Sequence, residues 1–281
     1  MKKVCVIANA VKEAAVETAE KVRAFFCEKG VSCSVLLEDF SETPAYEPEL
    51  DSDIECAVVL GGDGTLIRVA GILSEKKIPV FGINLGTLGF LTEAESADTE
   101  AVLTKLLAGE YKVEERMMLE ASVDGQKFGT ALNDVVLARN GFSRIISVGI
   151  FVNGKPVCNY RGDGVIVATP TGSTGYNLSA GGPVVAPKTE LFIITPICPH
   201  SLNARSILLS AEDELHIVIR EEKKTQDEEA ILTLDGQRAK DLAAEDTIVI
   251  RKSEKKAYFI QLNENSFFDA LHRKLGTREI T

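Results

Sequence analysis

The stretch VVLGGDGTLIRVAGIL, residues 58–73, begins as an apolar run, breaks at GGDGT (61–65) and resumes with apolar residues at helical spacing. This pattern predicts a buried strand, a glycine turn and a helix over about 65–74. Glycine lacks a Cβ, and the N–H groups at a helix entrance attract anions such as phosphate. A carboxylate in such a turn repels phosphate unless it binds a metal or accepts a proton. Asp63 is therefore a candidate for chemistry.

On the residues alone, two simpler readings of this turn stay open. Asp63 could be a solvated helix cap, because aspartate is a common residue at that position. Arg68 lies about one turn into the predicted helix, so its guanidinium could reach a phosphate or simply face solvent. The turn by itself indicates a phosphate site without excluding an ordinary loop.

Before about residue 115, predicted strands alternate with predicted helices. KKVCVIAN, VSCSVLLE, ECAVVL and IPVFGINLG have the apolar character of strands, and residues 11–29 have apolar positions at helical spacing. DTEAVLTKLLAGE predicts another helix, with Asp98 as its cap and Gly109 at its end. Such alternation is typical of a parallel, doubly wound, Rossmann-like α/β sheet.

After residue 115, short β-rich runs are separated by turn dipeptides. Asn153-Gly154 between SVGIFV and KPVCNY predicts a hairpin, and Asp124-Gly125, Asp163-Gly164 and Asp235-Gly236 are further turn signals. This texture predicts an all-β domain, a sandwich rather than a helical bundle.

The end of the chain returns to helical spacing. SFFDALHRKL (266–275) predicts a helix with Phe268, Leu271 and Leu275 on one face, and we expect this face to pack on the α/β domain. The predicted organisation is therefore an α/β domain over 1–115 plus 263–281 and a β-sandwich over 116–262.

The composition bounds the class of protein. Of the 281 residues, 45% are hydrophobic and 26% charged, as in a soluble globular protein. Lys and Arg number 31 against 42 Asp and Glu, and the resulting net charge of −11 disfavours a nucleic-acid partner. No apolar run approaches the roughly 18 residues that a membrane-spanning helix needs. We expect a cytoplasmic protein without a membrane partner, whose polyanionic substrates are bound by local basic groups.

A second motif is YRGDGVIVATPTGSTGYNLSAGGP, residues 160–183. Its small residues allow a flat ring to approach the backbone, its hydroxyls and amides can bond the ring's edge, and Tyr176 can stack on the ring's face. A polar hairpin loop is the plainer alternative, but such a loop does not need this density of Gly, Ser and Thr beside an aromatic residue.

These motifs together resemble the NAD kinase family, in the superfamily that it shares with diacylglycerol-type lipid kinases and 6-phosphofructokinases. GGDGT belongs to the whole superfamily, whereas RGDG (161–164) followed by TPTGSTGYNLSAGGP (169–183) is more specific to NAD kinases. The chain departs from the common pattern at Asp134, where many members have Glu, and at Gly175, where Ala is common. The resemblance covers essentially the whole chain through Asn133-Asp134, TPICPHSLNARSILLS (195–210), LTLDGQ (232–237) and FFDALHRKL (267–275).

The resemblance implies a discontinuous α/β domain with the Gly-Gly-Asp loop and a β-sandwich with the dinucleotide site. It implies transfer of a phosphoryl group from ATP or polyphosphate to the 2′-hydroxyl of the adenosine ribose of NAD, with a divalent metal, for which Mg²⁺ is expected. Asp63 would accept or orient the hydroxyl proton and is also a candidate metal ligand. A homodimer or homotetramer is expected.

The resemblance also implies binding roles for other residues. The glycines of GGDGT would bring the donor phosphates onto backbone amides, Asn133 and Asp134 would hold the adenosine part of NAD, and residues 174–179 would wrap the base. Arg144, in NGFSRI, matches a basic position that faces substrate in relatives, although it could be a solvated hairpin charge. The predicted binding residues are Gly61, Gly62, Gly64, Thr65, Arg68, Asn133, Asp134, Arg144, Arg161, Asp163, Thr171, Thr174, Gly175, Tyr176, Asn177, Ser179, Cys198 and Gln237.

Two other function classes are compatible with the fold. A related kinase could act on a lipid or sugar hydroxyl, but an acidic chain with a Thr/Ser/Gly/Tyr loop suits a nucleotide better than a lipid surface. A non-catalytic module could sense dinucleotides, but a pure binder gains nothing from a carboxylate that faces phosphate. Assaying NADP formation from NAD, ATP and Mg²⁺ separates the three.

Tyr176→Ala is expected to weaken NAD binding without impairing chemistry. Stacking of a base on an aromatic ring is worth about 1–3 kcal/mol, so the KM for NAD should rise roughly tenfold to a hundredfold. Steady-state kinetics at saturating NAD should show little change in turnover. A collapse of turnover with unchanged NAD affinity would show that the pocket assignment is wrong.

Overall fold

The structure is a computed structural model that describes residues 1–39, 50–51, 53–86, 89–92, 94–95, 98–140, 145–220, 230–262 and 267–276. The chain divides into two compact units, residues 1–115 with 257–281 and residues 116–256. The sequence predicts the second boundary at 262/263, after the last β-rich run. In the structure this boundary falls at 256/257, within the strand Thr247–Gln261. None of the helices in the described part has both the length and the apolar composition to cross a bilayer.

The first unit is a parallel sheet with helices. Its strands lie in the order β4-β3-β1-β2 and pair in parallel, as the alternating pattern predicts. In chain order its elements are β1 (Lys3–Asn9), α1 (Glu13–Glu28), β2 (Ser32–Glu38), β3 (Cys56–Leu60), α2 (Asp63–Leu73), a 3₁₀ turn (Ser74–Lys76), β4 (Val80–Asn84), β5 (Ala94–Glu95), α3 (Thr99–Ala108) and α5 (Phe267–Leu275).

Strands β3 and β4 are neighbours, with Leu60 opposite Ile83. Both strands are buried along their whole length, as expected for central strands of a sheet covered on both faces. Because parallel strands end at the same edge, the turn after β3 and the segment after β4 emerge side by side. That edge carries the Gly-Gly-Asp turn.

The described part of the second unit contains eleven further strands, a short helix and the strand β6 (Lys112–Val123), which begins in the first unit. The other elements are β7 (Gln126–Ala131), β8 (Asp134–Arg139), β9 (Ile146–Val152), β10 (Lys155–Gly162), β11 (Gly164–Ala168), α4 (Tyr176–Ser179), β12 (Leu191–Ile197), β13 (Ile207–Ser210), β14 (Leu215–Arg220), β15 (Ala230–Leu234), β16 (Arg238–Leu242) and β17 (Thr247–Gln261).

The strands of the second unit pair in two groups. Six antiparallel strands form one sheet in the order β13-β12-β11-β8-β15-β16. Strands β10, β9, β14 and the first part of β17 pair antiparallel in that order, and β6 pairs with β7.

One apolar core joins the two groups of strands in the second unit, which confirms the sandwich. Val135 and Leu137 of β8 contribute to it, together with residues of β9 and β14 such as Ile150 and Ile217. The alternate residue Val136 points to the opposite face of its sheet, into a smaller apolar cluster. Strands β8, β11 and β12 in the middle of the six-stranded sheet are therefore buried on both faces.

The hairpin predicted at Asn153-Gly154 is confirmed. Val152 lies opposite Lys155 across the turn, and both turn residues have positive φ, 49° and 75°. Asp163-Gly164, by contrast, does not form a hairpin turn. It links β10 to β11, whose ladder partners are other strands, and the Asp163 N–H donates to the Ile197 carbonyl over 3.0 Å.

The C-terminal helix differs from the prediction in which of its two phenylalanines packs against a neighbouring segment. Phe267, not Phe268, lies against the first unit: its ring centroid is 6.5 Å from that of Phe90. Phe268 is 56% exposed. Two adjacent phenylalanines leave the helical phase ambiguous by one residue, so spacing alone selects the wrong ring.

Candidate functional site

Asp63 is the first residue of α2, and its carboxylate is held by a neighbouring segment. The Phe90 N–H donates to Oδ2 over 2.7 Å and the Leu91 N–H to Oδ1 over 3.2 Å. The cap position belongs to Gly62, so the reading of Asp63 as a helix cap is wrong, as is the predicted start of the helix at Thr65. The side chain is fixed by contacts that a solvated cap would not make.

This contact depends on a glycine. A Cβ at Gly89 would lie 1.7 Å from Asp63 Oδ1, so only glycine allows the backbone to approach the carboxylate this closely. The Gly89 N–H donates to Thr92 Oγ1, which shapes the same segment. We call residues 89–91 the Asp63 cradle.

The rest of the glycine turn leaves the helix entrance open. Among the described residues, no side chain caps α2, and the Leu66 N–H makes the first bond inside the helix, to the Gly62 carbonyl. Gly64 is exposed, and the N–H groups of the first turn have no acceptor within the helix. Gly61 packs against Thr65, whose Oγ1 would lie 2.8 Å from a Cβ there, and Arg68 follows in the second turn.

In the second unit, one carboxylate organises the segment around Asn133. Asp235 accepts the N–H groups of Leu132, Asn133 and Asp134 over 2.8, 2.7 and 3.0 Å. It does so from the turn between β15 and β16, where its φ is 50°. Three consecutive N–H groups that converge on one carboxylate fix the backbone of Asn133-Asp134. We call this arrangement the Asp235 clamp.

The clamp brings two carboxyl groups together. Burial and, as the smaller cause, the nearby Asp235 carboxylate raise the pKa of Asp134 to about 7. Burial also raises the pKa of Asp235 to about 6, although its three N–H donors act in the opposite direction. Both carboxyl groups therefore keep their protons to a higher pH than an exposed aspartate does.

The loop of residues 169–183, which we call the TPTG loop, borders the Asn133-Asp134 segment. Thr169 Oγ1 donates to the Leu132 carbonyl over 2.6 Å, and the Thr169 N–H donates to the Asn133 carbonyl over 2.8 Å. A Cβ at Gly172 would lie 2.1 Å from the Asn133 carbonyl oxygen, so the loop can lie there only because residue 172 is glycine. Asn133 Oδ1 is buried and accepts no hydrogen bond from the described residues. It is a free acceptor beside this loop.

The predicted residues of the loop differ in what their side chains contact. Asn177 is fully buried: Nδ2 donates to the Ser173 and Pro183 carbonyls, and Oδ1 accepts from Thr195. Asn177 therefore fixes the loop from inside. Tyr176 is 46% exposed, Ser179 is exposed, Thr174 and Gly175 are half-buried, and Thr171 is buried with a 3.4 Å bond from Arg116.

Other predicted residues surround the β10–β11 link. Asp163 forms an ion pair with Arg139, with 2.8 Å between Oδ1 and Nε, and Arg161 is exposed on β10. Cys198 is exposed at a positive φ of 43°. Gln237 is half-buried and closes the turn that carries Asp235. Arg144 lies outside the described residues.

The sequence does not predict the roles of Asp235 and the cradle. Asp235 lies within LTLDGQ, where the Asp-Gly dipeptide indicates only a turn. Nothing local marks it as the partner of a segment about a hundred residues away. Gly89-Phe90 was likewise unremarkable until the pairing of β3 with β4 placed it beside Asp63.

The comparisons with known proteins cover both units. Residues 4–111 match the model of the ATP-NAD kinase N-terminal domain and residues 132–262 that of the C-terminal domain. The chain belongs to the NAD kinase family.

Individual relatives agree with this family assignment. The chain is 48% identical to an NAD kinase of Lachnoclostridium phytofermentans, over 99% of this chain and 100% of the relative. It is 40% identical to an NAD kinase of Agathobacter rectalis, over 98% and 99%. As an NAD kinase, the chain is a phosphotransferase that acts on NAD.

Solved structures show the same architecture. An NAD kinase from Archaeoglobus fulgidus in complex with ATP is 29% identical, with a TM-score of 0.78 over 99% of this chain and all of that one. Yeast NADH kinase complexed with NADH has a TM-score of 0.87 over 100% of this chain and 90% of its own. At 24% identity, the yeast enzyme supports the fold.

Asp235→Asn is expected to loosen the Asn133-Asp134 segment. An amide presents an N–H to the converging backbone donors, and a buried donor without an acceptor costs about 1–3 kcal/mol of unfolding free energy. We expect the KM for NAD to rise about tenfold, which corresponds to about 1.4 kcal/mol, with little change in kcat. Denaturation and steady-state kinetics measure both effects.

Asp124→Asn is the matched control, because Asp124 is in a similar Asp-Gly turn and, among the described residues, accepts one backbone N–H, that of Thr247. Equal effects of the two substitutions on the KM would contradict the clamp's role.

Asp134→Asn is expected to change how stability depends on pH. A native pKa of about 7, against about 3.9 unfolded, means that the native state keeps its proton to higher pH. This contribution to stability is complete below about pH 4 and is lost as the pH rises through 7. We therefore expect the free energy of unfolding of the variant, relative to that of the wild type, to be higher at pH 8 than at pH 5. Urea denaturation at both pH values measures this difference. A difference that does not vary with pH would refute the raised pKa.

Proposed function

We propose that this enzyme transfers the terminal phosphoryl group of ATP, or of polyphosphate, to the 2′-hydroxyl of the adenosine ribose of NAD, with Asp63 as the base. The observation that carries the proposal is the fixed orientation of the Asp63 carboxylate at an uncapped helix entrance. The carboxylate is held by backbone groups rather than neutralised by a basic side chain among its described contacts.

The acceptor chemistry suits this arrangement. A secondary hydroxyl is a weak nucleophile, and a base that accepts its proton as phosphorus is attacked lowers the barrier. Each carboxylate oxygen of Asp63 accepts one backbone N–H and retains further lone-pair capacity. Asp63 can therefore take a hydroxyl proton while the cradle keeps its orientation.

The donor phosphates would bind at the entrance of α2. Backbone N–H groups at a helix start favour negative charge, and glycines at positions 61, 62 and 64 let phosphate oxygens come close. Thr65 adds a hydroxyl to the first turn and Arg68 a guanidinium to the second. We assign these five residues to the donor.

The residues fit a metal held mainly by substrate. Among the described residues, no group of three or more His, Cys, Asp or Glu could enclose an ion. Mg²⁺ commonly uses one or two carboxylates plus phosphate oxygens, so Asp63 is the protein ligand that we propose. When bound, Mg²⁺ would offset charge on the transferring phosphoryl group.

The acceptor NAD would bind along the Asn133 segment and the TPTG loop. Asn133 Oδ1 is a buried acceptor without a described donor, and Asp134 is a buried residue whose backbone N–H is held by the clamp. We assign both to the adenosine part of NAD and the half-exposed ring of Tyr176 to base stacking. Thr171, Thr174, Gly175, Asn177, Ser179, Arg144, Arg161, Asp163, Cys198 and Gln237 complete the proposed set, with the Asn177 side chain acting through the shape of the loop.

The related NAD kinase from Archaeoglobus fulgidus is in complex with ATP, which supports a nucleotide as the donor for this chain. We further propose that the enzyme is cytoplasmic and forms a homodimer or homotetramer. Leu208, on β13 at the edge of the six-stranded sheet, is 52% exposed, and Leu202, in the segment that precedes β13, is 95% exposed; both support an assembly contact there.

Asp63→Asn tests the proposed base. Asparagine keeps the size of the side chain but loses the charge and the proton acceptor, so the glycine turn should still fold. General-base catalysis contributes about 10²–10⁴-fold, so kcat for NADP formation from NAD, ATP and Mg²⁺ should fall at least about a hundredfold. NAD affinity by calorimetry should change less than about tenfold.

Asp98→Asn provides the control, because Asp98 occupies the cap position of α3 and makes no side-chain cap bond. It should keep wild-type turnover. If Asp63→Asn retains more than about a tenth of wild-type kcat, Asp63 is not the base.

A further inference from the structure

The Asp63 cradle is itself supported by the end of the chain. The Phe90 N–H holds Asp63 Oδ2, and the ring of the same residue faces α5. Phe267 approaches that ring with 6.5 Å between centroids and 37° between planes, within the range of attractive aromatic pairs. Lys274 Nζ lies 4.5 Å from the centroid of the Phe90 ring, a cation–π distance.

These two contacts come from one face of one helix. Phe267 and Lys274 are seven residues apart, which is close to two helical turns, so both side chains project from the same side of α5. The Phe90 ring is gripped at two points along the helix, while its backbone N–H is fixed on the carboxylate. A shift of α5 therefore moves the donor that orients Asp63.

We infer that α5 is a positioning element for Asp63, with Phe267 and Lys274 acting through Phe90. The inference rests on the proposed role of Asp63 as the base. Neither α5 residue touches the carboxylate, so each acts on the orientation of the base and not on the chemistry. The predicted NAD-binding residues of the second unit do not include any residue of α5. Loss of the contact between α5 and Phe90 should therefore lower kcat and leave the KM for NAD unchanged.

A purely structural role for α5 leads to a different expectation. If the helix only covers apolar surface, weakening it lowers the free energy of unfolding, while the folded fraction keeps its normal kcat. Separating kcat from KM, with the folded fraction measured for each variant, distinguishes the two roles.

Phe267→Ala compared with Phe268→Ala is the first test. Both remove one phenylalanine ring from adjacent positions of α5, but the described aromatic contact with Phe90 is made by Phe267, and Phe268 is 56% exposed. Small misplacement of a reacting group can cost up to about a hundredfold, so we expect kcat to fall about tenfold in Phe267→Ala. The KM for NAD should stay within about twofold, and Phe268→Ala should leave both near wild type.

Two further variants keep the test decisive if Phe267→Ala does not fold. Phe267→Tyr retains the ring, so its kcat should be close to that of the wild type. Lys274→Met keeps an unbranched side chain without charge and should lower kcat by about threefold, whereas Arg273→Met, whose guanidinium bonds the Asp269 carbonyl of its own helix, should not.

Wild-type kcat in folded Phe267→Ala would overturn the inference, as would equal effects in the two phenylalanine variants or parallel changes of kcat and KM. If Phe267→Ala does not fold, wild-type kcat in Lys274→Met overturns it. The proposed function fails separately: retention of turnover in Asp63→Asn removes the base assignment, whatever the α5 variants do.

Discussion

The contact between the Asp63 carboxylate and the N–H groups of Phe90 and Leu91 is the constraint on which the account of this enzyme depends. It requires β3 and β4 to be parallel neighbours, because only then do the turn after one and the segment after the other share an edge. It also requires glycine at position 89, since any Cβ would occupy the place of Oδ1. The topology of the first unit and a glycine in its sequence thus converge on one side chain.

The second unit uses similar physics for another purpose. Asp235 also accepts backbone N–H groups from a distant segment, but it takes three of them and lies in a β-turn rather than at a helix entrance. Its carboxylate fixes the backbone of Asn133-Asp134. Burial and, to a smaller extent, this carboxylate raise the pKa of the neighbouring Asp134. The enzyme has one carboxylate that backbone groups orient, for which we propose the chemical role, and another that shapes the segment expected to bind NAD.

The sequence predicts the parts of the fold that follow from local pattern. Alternating strands and helices predict the α/β unit, and Asn153-Gly154 predicts a hairpin in the second unit. Both signals lie within a few residues of the structure that they specify. Motif resemblance predicts the family. The helix α2 begins two residues before its predicted start. Glycine has a low helix propensity, so the glycines at the helix entrance do not indicate its first turn.

What the sequence could not predict depends on contacts between distant segments. Asp163-Gly164 looks like Asn153-Gly154, but its strands pair with other partners, and register is set by tertiary packing. Phe267 and Phe268 are equivalent to a periodicity argument until Phe90 selects one of them. The Asp235 clamp joins residues far apart in the chain, and nothing in the Asp-Gly dipeptide indicates its three donors.

A crystal structure of the wild-type enzyme with bound NAD would show whether Asp63 is placed to act as the base. The 2′-oxygen of the adenosine ribose should lie within about 2.6–3.2 Å of an Asp63 carboxylate oxygen, the range for proton transfer to a base. The Phe90 and Leu91 N–H groups should still donate to that carboxylate in the complex. A 2′-oxygen placed nearest another side chain, or an Asp63 carboxylate released from residues 90 and 91, would contradict this role of Asp63.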